Sequence, residues 1–312
     1  LNAAVADFGC KSYAQWPALL KDDAVDVICI ATESGTHTEF ALQAARAGKH
    51  LLIEKPLDVT PARIRRMEAG IKKAGVTAGC VFQLRVDPCN AALKKAIDKG
   101  TLGRILSVHG SLPWFRADEY YAGAHGSWKG TWKLDGGGSL MNQGIHTLDL
   151  LQWFGGPVES VCGYHGVFNH DIEAEDQAVA ILKFANGALG TLFTSTCCVP
   201  ENSQRLQVFG TRGSFSKHAG ILEFFEAGTA RQREKMLADF GGGAEVDTAG
   251  KDPLALASEG HRILIEDLVK AIREGREPMI PVSRGKHAVE IANAIYRSGN
   301  TGREVKIAQV RK

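Results

Sequence analysis

The chain of 312 residues is too long for one small core and suits two globular domains, each able to bury a core of its own. Its 37 Lys and Arg nearly balance 35 Asp and Glu, so there is no basic stripe of the kind a nucleic-acid backbone demands, and nucleic acid is excluded as a direct ligand. No apolar run approaches the roughly 20 residues of a membrane helix and no basic start leads into a hydrophobic signal region, so the expectation is a cytoplasmic protein with no membrane partner.

The opening stretch LNAAVADFG reads as a helix rather than as the beginning of a fold, and an upstream segment is expected. VDVICIAT, from Val25 to Thr32, is an apolar run of strand length. HTEFALQAARAG follows with helical periodicity and a glycine stop, and KHLLIEKP is a second buried strand ended by Pro56. TPARIRRMEAGIKKAG makes the next helix, with Pro61 at its start and Gly75 at its end, and VTAGCVFQLR makes a third strand. Repeated strand–helix units predict a parallel sheet, which binds ligands at the carboxyl ends of its strands. Those ends carry Ala31 and Thr32, Glu54 and Lys55, then Gln83 and Arg85.

From about residue 104 the pattern changes. RILSVHGSL, VESVCGYHGVF, DQAVAILKF, ALGTLFTSTC and RLQVFG are strands with few helices between them, which predicts an antiparallel sheet under a single helical layer. Asn186-Gly187 stands where a tight type I′ hairpin wants it. Residues 227 to 257, rich in Gly, Ala and charge, read as a mobile excursion, and helices near 258–274 and 285–298 close the chain, each with a Gly or Gly-Asn stop. Cysteines 10, 29, 80, 89, 162, 197 and 198 form no C-x-x-C pair and read as reduced core thiols, with no metal site expected.

In GGGSLMNQGIHTLDLLQW three glycines enter a helix whose N-cap is expected to be Ser139 and whose apolar positions include Leu140, Met141, Ile145, Leu148 and Leu151. Asn142 and His146, spaced i and i+4, share one face of that helix. A neutral imidazole can take a hydroxyl proton while an amide holds that hydroxyl or its neighbour, although a buried histidine satisfied by a backbone carbonyl fits the same spacing. The glycines favour the first reading, because a side-chain-free approach to a helix start suits contact with a ligand. Lys55, fixed between a buried strand and Pro56, would become a proton donor or acceptor if a closed cleft lowered its pKa, and would otherwise be a surface lysine. Trp114, Phe115, Tyr120, Tyr121, Trp128 and Trp132 precede the glycines and could wall a sugar-like ligand or simply form core. Lys129 and Lys133 beside them could meet a sugar acid or a nucleotide sugar, or be only solvated charges on a loop.

Together ATESGTH, AGKHLLIEKPL, QLRVDP, GTWKLDGGGSLMNQGIHTLDLLQWFGGP, EAEDQAVAILKFANGALGTL and VFGTRGS resemble the glucose-fructose oxidoreductase / inositol dehydrogenase / MocA family of nicotinamide-dependent sugar oxidoreductases. The resemblance spans essentially the whole chain. It implies an α/β fold: a Rossmann-type domain over 1–88 and a substrate-binding α+β domain over 89–312. The latter has a large, mostly antiparallel sheet, a face that makes a homodimer or homotetramer, and C-terminal helices packing back on the first domain. It implies NAD or NADP as cofactor, bordered by Ala31, Thr32, His37, Glu54, Lys55 and Gln83. Lys55 and His146 would be catalytic, often with a cis bond before the proline after the lysine, and Arg85, Trp128, Lys129, Trp132 and Asn142 would contact substrate. Two departures stand out. Asn142 replaces the family's frequent Asp and cannot accept a proton, and the first strand with its G-x-G-x-x-G turn has no counterpart here.

The function so implied is hydride transfer between nicotinamide and a secondary alcohol of a sugar, inositol, sugar acid or nucleotide sugar. A redox-cycling glycosidase with tightly held NAD, and a redox-silent sugar or nucleotide sensor, are the alternatives. Retention of Lys55 and His146 argues against the sensor, which needs no proton-transfer pair.

Overall fold

A computed structural model describes residues 2–242 and 259–310. Helices α1 (Asn2–Phe8) and α2 (Trp16–Leu20) lead into a parallel sheet of β1 (Val27–Ile30), β2 (His50–Ile53) and β3 (Ala78–Cys80), in that spatial order. Its crossovers are α3 (His37–Arg46) and α4 (Pro61–Ala74). Leu51, Leu52 and Ile53 are all buried, as a strand covered on both faces requires. The α4 boundaries lie where local chemistry puts them: the Thr60 side chain caps the Arg63 N–H, Pro61 occupies the first turn, and Gly75 closes the helix at φ 70°. The third strand stops earlier than VTAGCVFQLR suggests, and Gln83–Val86 coils into a 3₁₀ turn. The Cys80 N–H pairs with the Ile280 carbonyl, far along the chain, while the Val81 N–H pairs back to Ile53, so the ladder closes there.

Next come α5 (Pro88–Asp98), β4 (Ile105–Pro113), α6 (Gly123–Gly126) and α7 (Ile145–Gly155). Strands β5 (Val158–Gly166), β6 (Gln177–Phe184), β7 (Leu189–Ser195), β8 (Arg205–Gly210), β9 (Gly213–His218) and β10 (Ile221–Ala227) follow, then helices α8 (Ala230–Phe240), α9 (Glu259–Glu274) and α10 (Val282–Thr301), and β11 (Val305–Lys306). The eight strands from β4 to β11 form one sheet in the order β10-β9-β8-β4-β7-β6-β5-β11. Every neighbouring pair is antiparallel except β4 with β7. Period-2 alternation decides its two faces: on β6, Ala178, Ala180, Leu182 and Phe184 point inward under α7 and α10, and Val179 and Ile181 point outward.

Several sequence expectations change. Asn186 keeps a negative φ and Gly187 takes φ 85°, while the Gly187 N–H bonds the Phe184 carbonyl and the Phe184 N–H bonds Ala188. The hairpin is therefore a three-residue loop, a type I turn followed by a left-handed glycine, and not type I′. The mobile excursion expected from residue 227 is instead helix over Ala230–Phe240, started by a capping box between Thr229 and Gln232, while residues 243–258 lie outside the described residues. Helix α10 runs through the expected Gly299-Asn300 stop to Gly302 at φ 65°, because Gly299 serves close packing: a Cβ there would lie 2.5 Å from the His165 ring. All seven cysteines are free thiols, but Cys29 and Cys162 lie on outward strand faces, Cys10 is exposed, and only Cys80 and Cys89 are buried.

Gly187 has no heavy atom within 4 Å of a built Cβ, so only its backbone conformation resists a side chain. Gly187→Ala is expected to lower the unfolding free energy in urea by about 1–2 kcal/mol, and a variant as stable as the parent would contradict this turn.

Candidate active site

Lys55 leaves the carboxyl end of β2 through a cis peptide to Pro56, and its Nζ donates 2.9 Å to the backbone carbonyl of Asn142, at the start of the α7 region. One amine thus links the parallel sheet to the second domain. Burial pushes the amine below its ordinary pKa, while Glu54 and Asp135 oppose that shift. Glu54 accepts from the Lys55 N–H at 3.1 Å and meets His261 Nε2 of α9 at 3.0 Å. Burial works to raise the Glu54 carboxyl, but His261, the Lys55 charge and that N–H outweigh it and hold it low.

The segment before α7 is a π turn, Ser139–Gln143, closed by the Gly144 N–H on the Ser139 carbonyl. Ser139 is not its side-chain cap; its Oγ lies 3.2 Å from Thr194 Oγ1. The free N–H groups of the turn go to buried Glu175, which accepts from Gly138 at 2.8 Å and Leu140 at 2.7 Å through its carboxylate and from Ser139 through its backbone carbonyl. The three glycines face protein rather than open ligand space. A Cβ on Gly136 would lie 2.6 Å from Val59, on Gly137 2.0 Å from the Tyr296 hydroxyl, and on Gly138 1.9 Å from the Glu175 carbonyl. They let the turn pack against the loop after Lys55, which is how it reaches the amine.

His146 lies one turn past Asn142, edge-on to Phe82 at 5.9 Å, with a buried Nδ1 that meets no protein partner. Burial first, then Lys55 and His261, drive its pKa well below 6.5, so the ring is neutral at physiological pH. Asn142 donates through Nδ2 to Asp135 Oδ1 at 2.7 Å, and the Gly130 N–H donates to Asp135 Oδ2 at 2.8 Å. Burial raises the Asp135 carboxyl to about 7 against those bonds and against Lys55 and Lys129. Asp135, Glu175 and His261 complete the cluster without having been marked in the sequence; a lone Asp before GGG and the acids of EAED were the signals present.

The remaining expected site residues divide. Ala31 and Thr32 are exposed at the end of β1, and Gln83 offers a buried Oε1 without a partner where Gly260, next to His261, packs against its side chain. His37 sets Nδ1 2.9 Å from the Pro56 carbonyl and Nε2 3.0 Å from the Thr32 carbonyl, so the buried ring lies between two loops and braces them. Arg85 is corrected: Asp149 of α7 takes its guanidinium at 2.7 and 2.6 Å, and both groups are buried. It ties the two domains together and is not free for substrate. Lys129 stands 3.6 Å over the Tyr120 ring and within the field of Asp135, while Trp132 sets its ring against Tyr296 and His165. Trp128 is partly exposed and contributes its carbonyl to Thr131. Among the described residues no cluster of His, Cys, Asp or Glu could hold a metal ion.

Comparison with known proteins decides the family. Residues 1–82 match the oxidoreductase family model with an NAD-binding Rossmann fold, and residues 90–216 match the GFO/IDH/MocA C-terminal domain. The chain belongs to the GFO/IDH/MocA family. It is a nicotinamide-dependent oxidoreductase. It is 28% identical to a myo-inositol 2-dehydrogenase of Thermotoga maritima across 96% of this chain and 85% of that protein. It is 26% identical to a levoglucosan dehydrogenase of Pseudarthrobacter phenanthrenivorans across 98% of this chain and 86% of that one. Among solved structures it resembles the WlbA dehydrogenase of Bordetella pertussis, in complex with NADH and UDP-GlcNAcA, with a TM-score of 0.87 at 29% identity over 98% of this chain and 86% of that one. The family cofactor fits the residues present: strand ends at Thr32, Glu54 and Gln83 border one edge, where the unpartnered Gln83 Oε1 and His146 Nδ1 are left for a ligand.

The folded Glu175 carboxyl is raised by burial to about 7 from an ordinary 4.5, so the fold binds its proton more tightly than the unfolded chain does. Its contribution is fully present below about pH 4.5 and lost as pH rises through about 7. The stability advantage of the parent over Glu175→Gln is therefore expected to shrink between pH 5 and pH 8 in thermal melts. An advantage that is constant with pH would show that Glu175 is ionised throughout.

Proposed function

We propose that the chain oxidises a secondary alcohol of a sugar, inositol, sugar acid or nucleotide sugar, with residues 1–88 holding the cofactor and 89–312 the substrate. The observation that carries this is the junction itself: a desolvated Lys55 amine and a neutral His146 at the carboxyl ends of a parallel sheet, spanned by Asn142. Nicotinamide, when bound, supplies a two-electron hydride acceptor or donor. The remaining tasks fall to side chains. His146 takes the hydroxyl proton, Lys55 donates to the same oxygen and stabilises its developing negative charge, and the Asn142 amide oxygen accepts from a neighbouring hydroxyl. Thr32, Glu54 and Gln83 hold the cofactor edge. On the substrate side Gln143 donates to the Tyr120 hydroxyl at 3.1 Å, leaving its buried Oε1 as an acceptor, and Lys129 gives the same wall a positive charge. That lining suits a hydroxyl-rich ligand bearing an acidic group.

The outer face of the large sheet supports self-association. Tyr164, Val179, Ile181 and Leu189 form an apolar surface, with Tyr164 70% and Ile181 57% exposed, beside a cavity of about 400 Å³ lined by His109, Thr191, Phe193 and Arg205. A second copy of the chain covers this face in the proposed homo-oligomer.

Fluorescence titration with NADH and NADPH tests the reading directly, and binding of neither by the parent chain would end it. His146→Ala should lower kcat by about 10²–10⁴-fold on a carbohydrate found to turn over, with NADH affinity nearly unchanged; undiminished turnover would remove His146 from the chemistry. Lys55→Ala should weaken both turnover and cofactor affinity. On the sheet face, Ile181→Lys is expected to shift the mass seen by light scattering toward the monomer, and a parent that is already monomeric would refute the assembly.

A further inference from the structure

Position 142 holds an amide that cannot ionise, yet a carboxylate lies directly behind it. Asp135 is buried, and both its oxygens are engaged: Oδ1 by Asn142 Nδ2 at 2.7 Å and Oδ2 by the Gly130 N–H at 2.8 Å. The Asn142 backbone carbonyl receives the Lys55 amine at 2.9 Å. An ionised carboxylate only accepts, so it is the NH₂ end of the amide that bonds to it. The amide oxygen therefore faces away from Asp135. Asn142, Lys55 and His146 are all partly exposed, whereas Asp135 is not. The cluster is thus layered, with polar groups facing the opening and a carboxylate beneath them.

Resting on the function proposed above, we propose that Asp135 is the positioning residue of the proton-transfer pair: it orients the Asn142 amide and supplies the buried counter-charge that keeps Lys55 an ammonium. The groups facing it are few. Lys55 and Lys129 present positive charge, and Tyr120, Tyr121 and Tyr296 lie within its field. Lys55 in turn faces Glu54, Asp135, His146 and His261. Glu54 is already engaged with His261 Nε2 at 3.0 Å, so neutralising Asp135 removes a countercharge that Glu54 only partly replaces.

The test reads Lys55 itself. In the full chain labelled with [ε-¹³C]lysine, the Lys55 εCH₂ signal, assigned with Lys55→Arg, is followed through a pH titration in the parent and in Asp135→Asn. The expected result is a Lys55 midpoint lower by about one pH unit or more in Asp135→Asn, with the other lysines unmoved and Asp135→Glu returning the midpoint toward the parent value. An unmoved midpoint in a folded Asp135→Asn overturns the proposal. Should that variant fail to fold, His261→Gln decides, because His261 also lies in the field of Lys55: its Lys55 signal must show a second inflection near pH 7, where the Asp135 carboxyl titrates, and a single inflection overturns the proposal equally. The same samples are titrated with NADH and NADPH. If the midpoint shifts while the parent binds neither nucleotide, the coupling stands and the oxidoreductase mechanism falls; if the parent binds nucleotide and the midpoint is fixed, only the role of Asp135 falls.

Discussion

The whole arrangement depends on a lysine amine taken out of water at the seam of two sheets. An ammonium in that position is costly unless hydrogen-bond acceptors and countercharges surround it, and the elements near the seam are disposed to supply them. Strand β2 sets the Lys55 backbone, since the Glu54 N–H pairs to Ile30 and the Val81 N–H to Ile53, so both neighbouring strands register its end. The π turn of the second domain brings a carbonyl to the amine. Glu54 and Asp135 bring negative charge, one from each domain. Because these pieces come from both sheets, the domains cannot shift against each other without exposing an unpartnered amine, and the Arg85–Asp149 pair guards the same seam a short distance away.

The second domain's contribution rests on a backbone that only glycine allows. Three successive residues lie so close to Val59, Tyr296 and the Glu175 carbonyl that any Cβ would collide with protein atoms. That closeness aligns the N–H groups of Gly138 and Leu140 on the Glu175 carboxylate. A buried carboxylate as cap differs from a surface Ser or Asp cap: it also bonds the Tyr296 hydroxyl of α10, so the start of the turn, the sheet and the last long helix share one polar node. Tyr296 then carries Trp132 and His165 on its ring. Packing and site geometry are therefore the same set of contacts here.

Much of this was legible in the amino-acid sequence, and the reasons for what was not are physical. Strand β2 ending in Glu-Lys-Pro, the helix from Pro61 to Gly75, and the Asn142/His146 face are local statements, made by residues within one or two turns of each other. Asp135 is only 7 residues from Asn142, but it sits in a loop where no periodicity assigns a direction to its side chain. Glu175 reaches across 35 residues and His261 across 207, which no spacing rule covers. Arg85 was misread because a strand was extended past Cys80; once the chain turns, its side chain meets Asp149 instead of the cleft. The glycine run was read as room for a ligand, although missing side chains serve equally to admit neighbouring protein. Helix α8 was lost in composition, where Gly and Ala concealed a Thr229/Gln232 capping box.

Three buried acids show how differently the fold treats the same chemical problem. Asp149 is matched by a bidentate guanidinium, an arrangement that fixes geometry. Glu175 has three hydrogen-bond donors and no cation among its bonded partners, and burial lifts its carboxyl to about 7. Asp135 lies between these cases, with an amide and a backbone N–H in contact and two lysines at longer range. A carboxylate held by a full ion pair would be too stable to respond to events in the cleft, and one held by dipoles alone would have no charge to answer. Asp135 has both a bonded amide and lysine charges within its field, so it combines the dipolar and the ionic solutions at one carboxyl.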